Sequence, residues 1–479
     1  MKLDNLPPAA PEAVRHILEA EEELRFEVSF SKSCQFKITL VHGSAELLGV
    51  ELAPNTTYTL APDSGGLKIA IFTWHGCVLD VLSTDGSLEM SYTSDETSSN
   101  VAAVNTNAQL EALRDEAAMM TPVVGEGPRV MIVGPPESGK SSLAKVLTAY
   151  AVKLGRTPMF VDLDPSDNSM TVPGSLSACV MDQDTISIET YATTGLPVSQ
   201  QQQQAQPLVM WHAGIQLSPD LFNAQVIAMG RKIDERLKRD DSARSSGIIV
   251  NTNGWIQNEG FDLLLRTVTA LRINVVLIMG HDRLYSMMKK SIPSTDAANS
   301  IKIIKVPRSG GVVSRASNYM LNSRSRCIRR YFYGAMIDAP TTTSVTATIT
   351  NPSAHRIPQL SPFAVQLAFN KLQLYKLSSI SLSVSLLPVA AAQATEPVQL
   401  HPVEISEKLQ HCLLAVCHPQ AVASYEASGQ AKDLYESGVA GFCVVERIHM
   451  ESEMIHLLSP CAGSLASNVL IIGDITWME

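Results

Sequence analysis

Residues 134–141 read Gly-Pro-Pro-Glu-Ser-Gly-Lys-Ser, and no other stretch constrains the fold as tightly. An apolar run of strand length, Arg-Val-Met-Ile-Val (129–133), leads into it. Leu143, Val146, Leu147, Tyr150 and Leu154 follow at helical spacing. A G-x-x-x-x-G-K-[ST] loop between a buried strand and a helix wraps its backbone N–H groups around phosphates. Lys140 adds positive charge at the β- and γ-phosphates, and Ser141 offers a hydroxyl to Mg²⁺. The helix aims its positive end at the same place. A Gly-rich turn would explain neither the lysine nor the strand–helix framing.

Four more continuous apolar runs follow: MFVDLD (159–164), GIIVNT (247–252), NVVLIMG (274–280) and IKIIKV (301–306). Such runs suit parallel strands covered on both faces. A second amphipathic helix is expected over about Phe222 to Lys238. Residues 128–335 therefore read as an α/β domain, a parallel sheet with helices on both faces.

The flanks differ. Before residue 110 come short alternating runs: 24–30, 35–41, 56–61, 67–74, 77–82 and 88–94. Period-two alternation broken by turn residues predicts an N-terminal β-sandwich over 1–110. Asn107 to Met119 reads as a connecting helix and Thr121 to Pro128 as a linker, so that 111–127 joins the two domains. After residue 335 a Thr/Ser/Pro-rich stretch (340–362) reads as a loop, and the rest of 336–479 as a small mixed or all-β domain. Gln200 to Gln204 reads as a loop insertion. Three domains fit 479 residues, and 45% apolar content supplies their cores.

A net charge of −10 argues against a wide basic footprint for nucleic acid. The N-terminus lacks the basic and apolar regions of a secretory signal, and no apolar run is long enough to span a membrane. Ile380 to Ala392, the nearest, is broken by serines and Pro388. These features lead us to expect a soluble intracellular protein. The eight cysteines, Cys34 included, form no C-x-x-C pair, and HCLLAVCH (411–418) reads as an apolar core segment.

Beyond the phosphate loop, Asp162 and Asp164 end the next strand, beside the loop in such a sheet. One could hold a Mg²⁺-bound water and the other accept a proton from an attacking hydroxyl, or either could cap the next turn. Arg308, Arg315, Arg324, Arg326, Arg329 and Arg330 either close over phosphates or form a solvated face. Trp255, after Asn251-Thr252-Asn253-Gly254, either stacks a base or belongs to the core.

Taken together, EEELRFEV (21–28), KIAIFTWHGC (68–77), the phosphate loop, TVPGSLSA (171–178), NTNGW (251–255), RSGGVVSR (308–315) and IRRYFYG (328–334) resemble the nuclear RNA 5′-hydroxyl polynucleotide kinase family. The resemblance covers nearly the whole chain and points to the pre-mRNA cleavage-factor branch. It implies an N-terminal β domain that lends Glu23 and Lys68 to an ATP site. It implies nucleotide contacts at Glu137, Ser138, Gly139, Lys140, Ser141 and Ser142, with Mg²⁺ at Ser141. Lys140, Asp164 and the lid arginines Arg324 and Arg329 take the catalytic positions, and Trp255 the RNA-clasp position. A scaffold subunit docking on the central domain, other cleavage and polyadenylation subunits, an RNA 5′ end and a nuclear location complete the picture.

The chain departs from active members in one place. They carry Gly-Gln after the strand-end Asp, where this chain has Pro165-Ser166, and Cys327 stands where they often have Arg. The resemblance thus implies an ATP-bound structural subunit of the 3′-end cleavage and polyadenylation complex, with an active RNA 5′-hydroxyl kinase as the alternative. A signalling GTPase fits poorly, because MGHD (279–282) lacks the Asn-Lys start of a base-specificity motif.

Overall fold

The computed structural model describes residues 13–28, 36–60, 67–83, 88–120, 125–191, 207–292, 301–334, 336–338, 356–379 and 398–478. Cys34, the glutamine run, the first part of the linker, most of 340–362 and the apolar run at 380–392 lie outside them.

Among the described residues, nine strands form the N-terminal unit: β1 (Val14–Leu18), β2 (Glu23–Val28), β3 (Phe36–Gly43), β4 (Glu46–Leu47), β5 (Val50–Glu51), β6 (Thr57–Thr59), β7 (Leu67–Phe72), β8 (Cys77–Ser83) and β9 (Leu88–Ser94). They make two sheets, ordered β1-β8-β3-β6 and β5-β4-β7-β2-β9. The alternating apolar positions face each other, with Leu24, Phe26, Phe36, Ile38, Leu40, Ile71 and Leu79 in one buried core. This is the expected β-sandwich.

Helix α1 (Ser98–Met119) starts at Ser98, earlier than the sequence reading. It leads to β10 (Arg129–Val133), the strand before the phosphate loop, and α2 (Lys140–Lys153) follows the loop. Further along are β11 (Met159–Leu163), β12 (Ser175–Val180), α3 (Ile188–Tyr191), β13 (Leu208–Trp211), α4 (Pro219–Arg239), α5 (Asp241–Ser246), β14 (Ile248–Thr252), α6 (Glu259–Ala270), β15 (Val275–Met279), α7 (Asp282–Ser291), β16 (Lys302–Val306) and α8 (Ser317–Tyr333). The sheet order is β13-β12-β11-β14-β10-β15-β16. The five apolar runs are the parallel strands β11, β14, β10, β15 and β16. Two antiparallel strands, β12 and β13, extend the β11 edge, so the sheet is mixed rather than wholly parallel. Alternate residues face opposite ways. Val130, Ile132, Phe160, Ile249 and Leu277 pack with α1 and α2. Met131, Val133, Val161, Val250 and Val276 pack with α4, α6 and α7.

Among the described residues, the C-terminal unit is a seven-stranded sheet built from segments between Phe363 and Thr476. Leu413, Ala415, Cys417, Val444 and Ile471 on one face share a core with Ile328 and Phe332 of α8. Leu414, Val416, Cys443 and Leu470 form a separate core on the other face. The segment Cys412–Cys417 is a buried strand, as the core reading expected. The Thr/Ser/Pro-rich stretch also contains a short strand, Arg356–Pro358, paired with Met336–Asp338. No helix among the described residues is long and apolar enough to cross a membrane.

Candidate nucleotide site

The phosphate loop has the backbone that its chemistry requires. Gly139 is left-handed (φ 91°) and Glu137 also has positive φ (54°). No side chain caps α2, so the N–H groups of its first turn point outward without a protein acceptor. Such orphan donors make an anion seat. Lys140 is 6% exposed and donates from Nζ to the Pro135 carbonyl at 2.8 Å. Burial pulls its ammonium down to about 8, opposed by the nearby charge of Asp164. Ser138 Oγ donates to the same carbonyl at 2.9 Å. Ser138 and Lys140 are therefore both held by the loop's own backbone.

The loop opens onto a cavity of about 270 Å³. Gly139, Ser141, Ser142 and Lys145 form one wall. The N-terminal sandwich forms another with Glu23, Arg25 and Lys68. Arg25 donates from Nε to Glu23 at 2.5 Å and lies 5.6 Å from the centre of the Tyr92 ring. Lys68 Nζ is 3.1 Å from Glu27 Oε2. Arg25 also packs on Gly311, where a β-carbon would fall 2.9 Å from its Nε. A side chain at Gly311 would have to displace the end of Arg25.

Behind the loop lies a polar network at the strand ends. Register places Asn251 beside both Ile132 and Asp162. Asn251 Nδ2 donates to Asp162 Oδ1 at 3.0 Å and to Ser141 Oγ at 3.2 Å. Asp162 Oδ1 also accepts from the Asp164 N–H at 3.1 Å, and Oδ2 accepts from Ser169 N and Oγ at 3.0 and 2.6 Å. Burial still pushes its carboxyl up to about 6. Asp164 accepts from Ser166 N and Oγ at 3.0 and 2.7 Å, the turn-capping role considered for it, and burial raises its pKa as well.

Helix α8 separates the arginines. Its stripe Tyr319, Ser323, Arg326 and Cys327, with Arg315 just before the helix, lines the cavity. Arg324 and Arg329 are not among the lining residues. Arg324 donates from Nε to the Ser166 carbonyl at 2.8 Å, and Arg329 lies over the Tyr333 ring. Arg315 links the loops, since its N–H donates to Glu137 at 2.5 Å and its Nη1 to Asp167 at 2.9 Å. Trp255 is part-buried against the α6 core, with its ring on Gly260. It is not among the residues lining the cavity. Sequence reasoning did not single out Arg25, Lys145, Asn251 or Asp167. Lys145 was accessible to it, one helical turn beyond Ser141 on the same face.

Family models match three consecutive stretches: an N-terminal beta-sandwich domain of polyadenylation factor (17–117), the mRNA cleavage and polyadenylation factor CLP1 P-loop (134–334), and pre-mRNA cleavage complex II protein Clp1 (360–479). A CLP1 homolog from Dictyostelium discoideum is 33% identical over 463 residues, 96% of this chain and 89% of its own. The chain belongs to the Clp1 family. An Arabidopsis thaliana CLP1 homolog is 32% identical over 96% of this chain and 94% of its own. The Bos taurus relative, named polyribonucleotide 5′-hydroxyl-kinase Clp1, is 31% identical over 96% of both chains. A solved Clp1p, in complex with Pcf11p, superposes with a TM-score of 0.77 at 23% identity, covering 98% of this chain and 99% of its own. A second solved Clp1p–Pcf11p structure, concerned with ATP loss in a glycine-to-arginine mutant, gives 0.78 at 22%, covering 98% and 100%. The Clp1 fold thus spans all three units, and its P-loop domain carries the site.

Proposed function

We propose that this protein is an ATP-binding subunit of the nuclear machinery that cleaves pre-mRNA 3′ ends before polyadenylation. The observation that carries this reading is the cavity closed over the phosphate loop by the N-terminal sandwich and α8. The residues present suit ATP with Mg²⁺. The uncapped α2 terminus and Lys140 would hold the phosphates, Ser141 would hold the cation, and Glu23 and Lys68 would lie along the rest of the nucleotide. The bound cation would neutralise phosphate charge. A ligand held by two units at once stabilises the assembled chain, because it binds the native state alone. The Clp1p of the solved complexes binds Pcf11p, which supports a scaffold partner of that class here, docking on the central domain.

Three features favour a structural over a turnover role. Asp164 is engaged by Ser166, Arg324 is committed to the Ser166 carbonyl, and Arg329 lies over Tyr333. The second reading, an RNA 5′-hydroxyl kinase, draws on the intact loop and on relatives bearing that name. There Asp164 would take the proton of the attacking hydroxyl, Lys140 and a lid arginine would stabilise developing charge, and Trp255 would clamp the RNA end. A transfer assay decides between them, with γ-labelled ATP, Mg²⁺ and a 5′-hydroxyl RNA, and with Lys140→Ala and Asp164→Ala as controls. ATP recovered from the purified protein without label transfer supports the structural subunit. Label on the RNA that is lost in both variants establishes the kinase.

A further inference from the structure

Asn251, the last residue but one of β14 and part of the NTNGW segment, is fully buried. It is not among the residues lining the cavity, whereas Ser141 is. Anything Asn251 does to a ligand therefore passes through Ser141. Both of its amide hydrogens are in use, one toward Asp162 at 3.0 Å and one toward Ser141 Oγ at 3.2 Å. A carboxylate only accepts, so Asp162 obliges the amide to present its NH₂ end. Asp162 already accepts four hydrogen bonds, from Asn251, the Asp164 N–H and Ser169 twice. That fills the lone-pair positions of a carboxylate and leaves none for a cation or its water.

We infer that Asn251 is a positioning residue for the cation-binding hydroxyl of Ser141, held in its working orientation by Asp162. By occupying one lone pair of Ser141 Oγ, Asn251 leaves the other directed at the cavity. The return contact, Ser141 Oγ to Asn251 Oδ1, is 3.5 Å, too long to hold the hydroxyl proton firmly. The donated bond from Nδ2 therefore sets the geometry. The inference rests on the reading of the site as one for ATP with Mg²⁺.

The test measures ATP affinity of the nucleotide-free full-length protein in excess Mg²⁺ and in EDTA. Outer-shell partners of metal ligands typically contribute about 10–100-fold in metal affinity. Asn251→Ala should remove roughly that factor from the gain Mg²⁺ gives, while leaving affinity in EDTA close to wild type. The double variant with Ser141→Ala should lose no more of the gain than Ser141→Ala alone, since coupled residues are non-additive. A full Mg²⁺ gain in Asn251→Ala, or losses that add in the double variant, would overturn the inference. If Asn251→Ala does not fold, Asp162→Asn takes its place: it lets the amide turn over and should lose the same gain. A wild-type protein that binds no ATP in either buffer would instead sink the proposed function, and the inference with it.

Discussion

Gly254 meets Pro136 backbone to backbone: a β-carbon on Gly254 would fall 2.6 Å from the Pro136 nitrogen and 2.8 Å from its α-carbon. The segment carrying Asn251 is thus pressed directly against the phosphate loop. Gly254→Ala must push that loop aside, because backbone atoms cannot yield as a flexible side chain would. We expect ATP affinity to drop by about tenfold or more, as displacing binding groups by an ångström commonly does. Calorimetric titration beside a far-ultraviolet spectrum checks this, and unchanged affinity in a folded variant would refute it.

Lys140 gives the site a pH limit. Its ammonium is pulled down to about 8 by burial, and it must be charged to meet phosphate. Above that value the free protein has lost the proton that binding requires. ATP affinity should therefore fall as pH rises past about 8, by at most about tenfold per pH unit for one proton. Lys140→Met should bind weakly and without this slope. An identical slope in the variant would assign the effect to another group.

Asp162 gives stability its own pH dependence. Its carboxyl titrates near 6 in the folded chain against 3.8 for an ordinary aspartate. Between those values the folded state holds more protons than the unfolded one, so this group's contribution falls as pH rises through the window. Urea midpoints across it should show wild type losing ground to Asp162→Asn toward the upper end. A difference constant with pH would contradict this.

Phe332 ties α8 to the C-terminal sheet. It is fully buried and stacks on Trp477, with ring centres 5.9 Å apart and planes within 14°. Trp477 in turn donates from Nε1 to Ser325 of the same helix at 3.1 Å. Phe332→Ala should cost about 3–5 kcal/mol by urea unfolding. Nucleotide affinity should fall too, because the far side of that helix walls the cavity.

Much of this was readable in the chain. Four of the apolar runs became the buried parallel strands β10, β11, β14 and β15 because buried strands have no polar face to alternate, whereas the fifth became the largely exposed edge strand β16. The β12 and β13 segments were missed. β13 has only four residues, and in β12 Ser175 and Ser177 are buried, where hydrogen bonds to Val172 and Asn168 satisfy them. The early turns of α1 were missed because Ala103 alone is buried among residues 98–106, too little to mark a helical face. Its buried stripe, Ala103, Asn107, Leu110, Arg114 and Ala117, has helical spacing but includes an amide and a guanidinium. Arg114 donates from Nε to the Ser246 carbonyl, a partner far off in sequence. The same limit applies to α8. Counting arginines does not give the rotation of a helix, which is set here by Ile328 and Phe332 seeking the C-terminal core.

The cavity's walls include residues as far apart in the chain as Glu23 and Cys327. During translation, then, the sandwich and the phosphate loop emerge from the ribosome long before their enclosure exists. The enclosure is complete only once α8 has been made and packed. On the proposed reading, a nucleotide enclosed there would register that synthesis has passed residue 327 and that α8 has packed against the rest of the cavity wall.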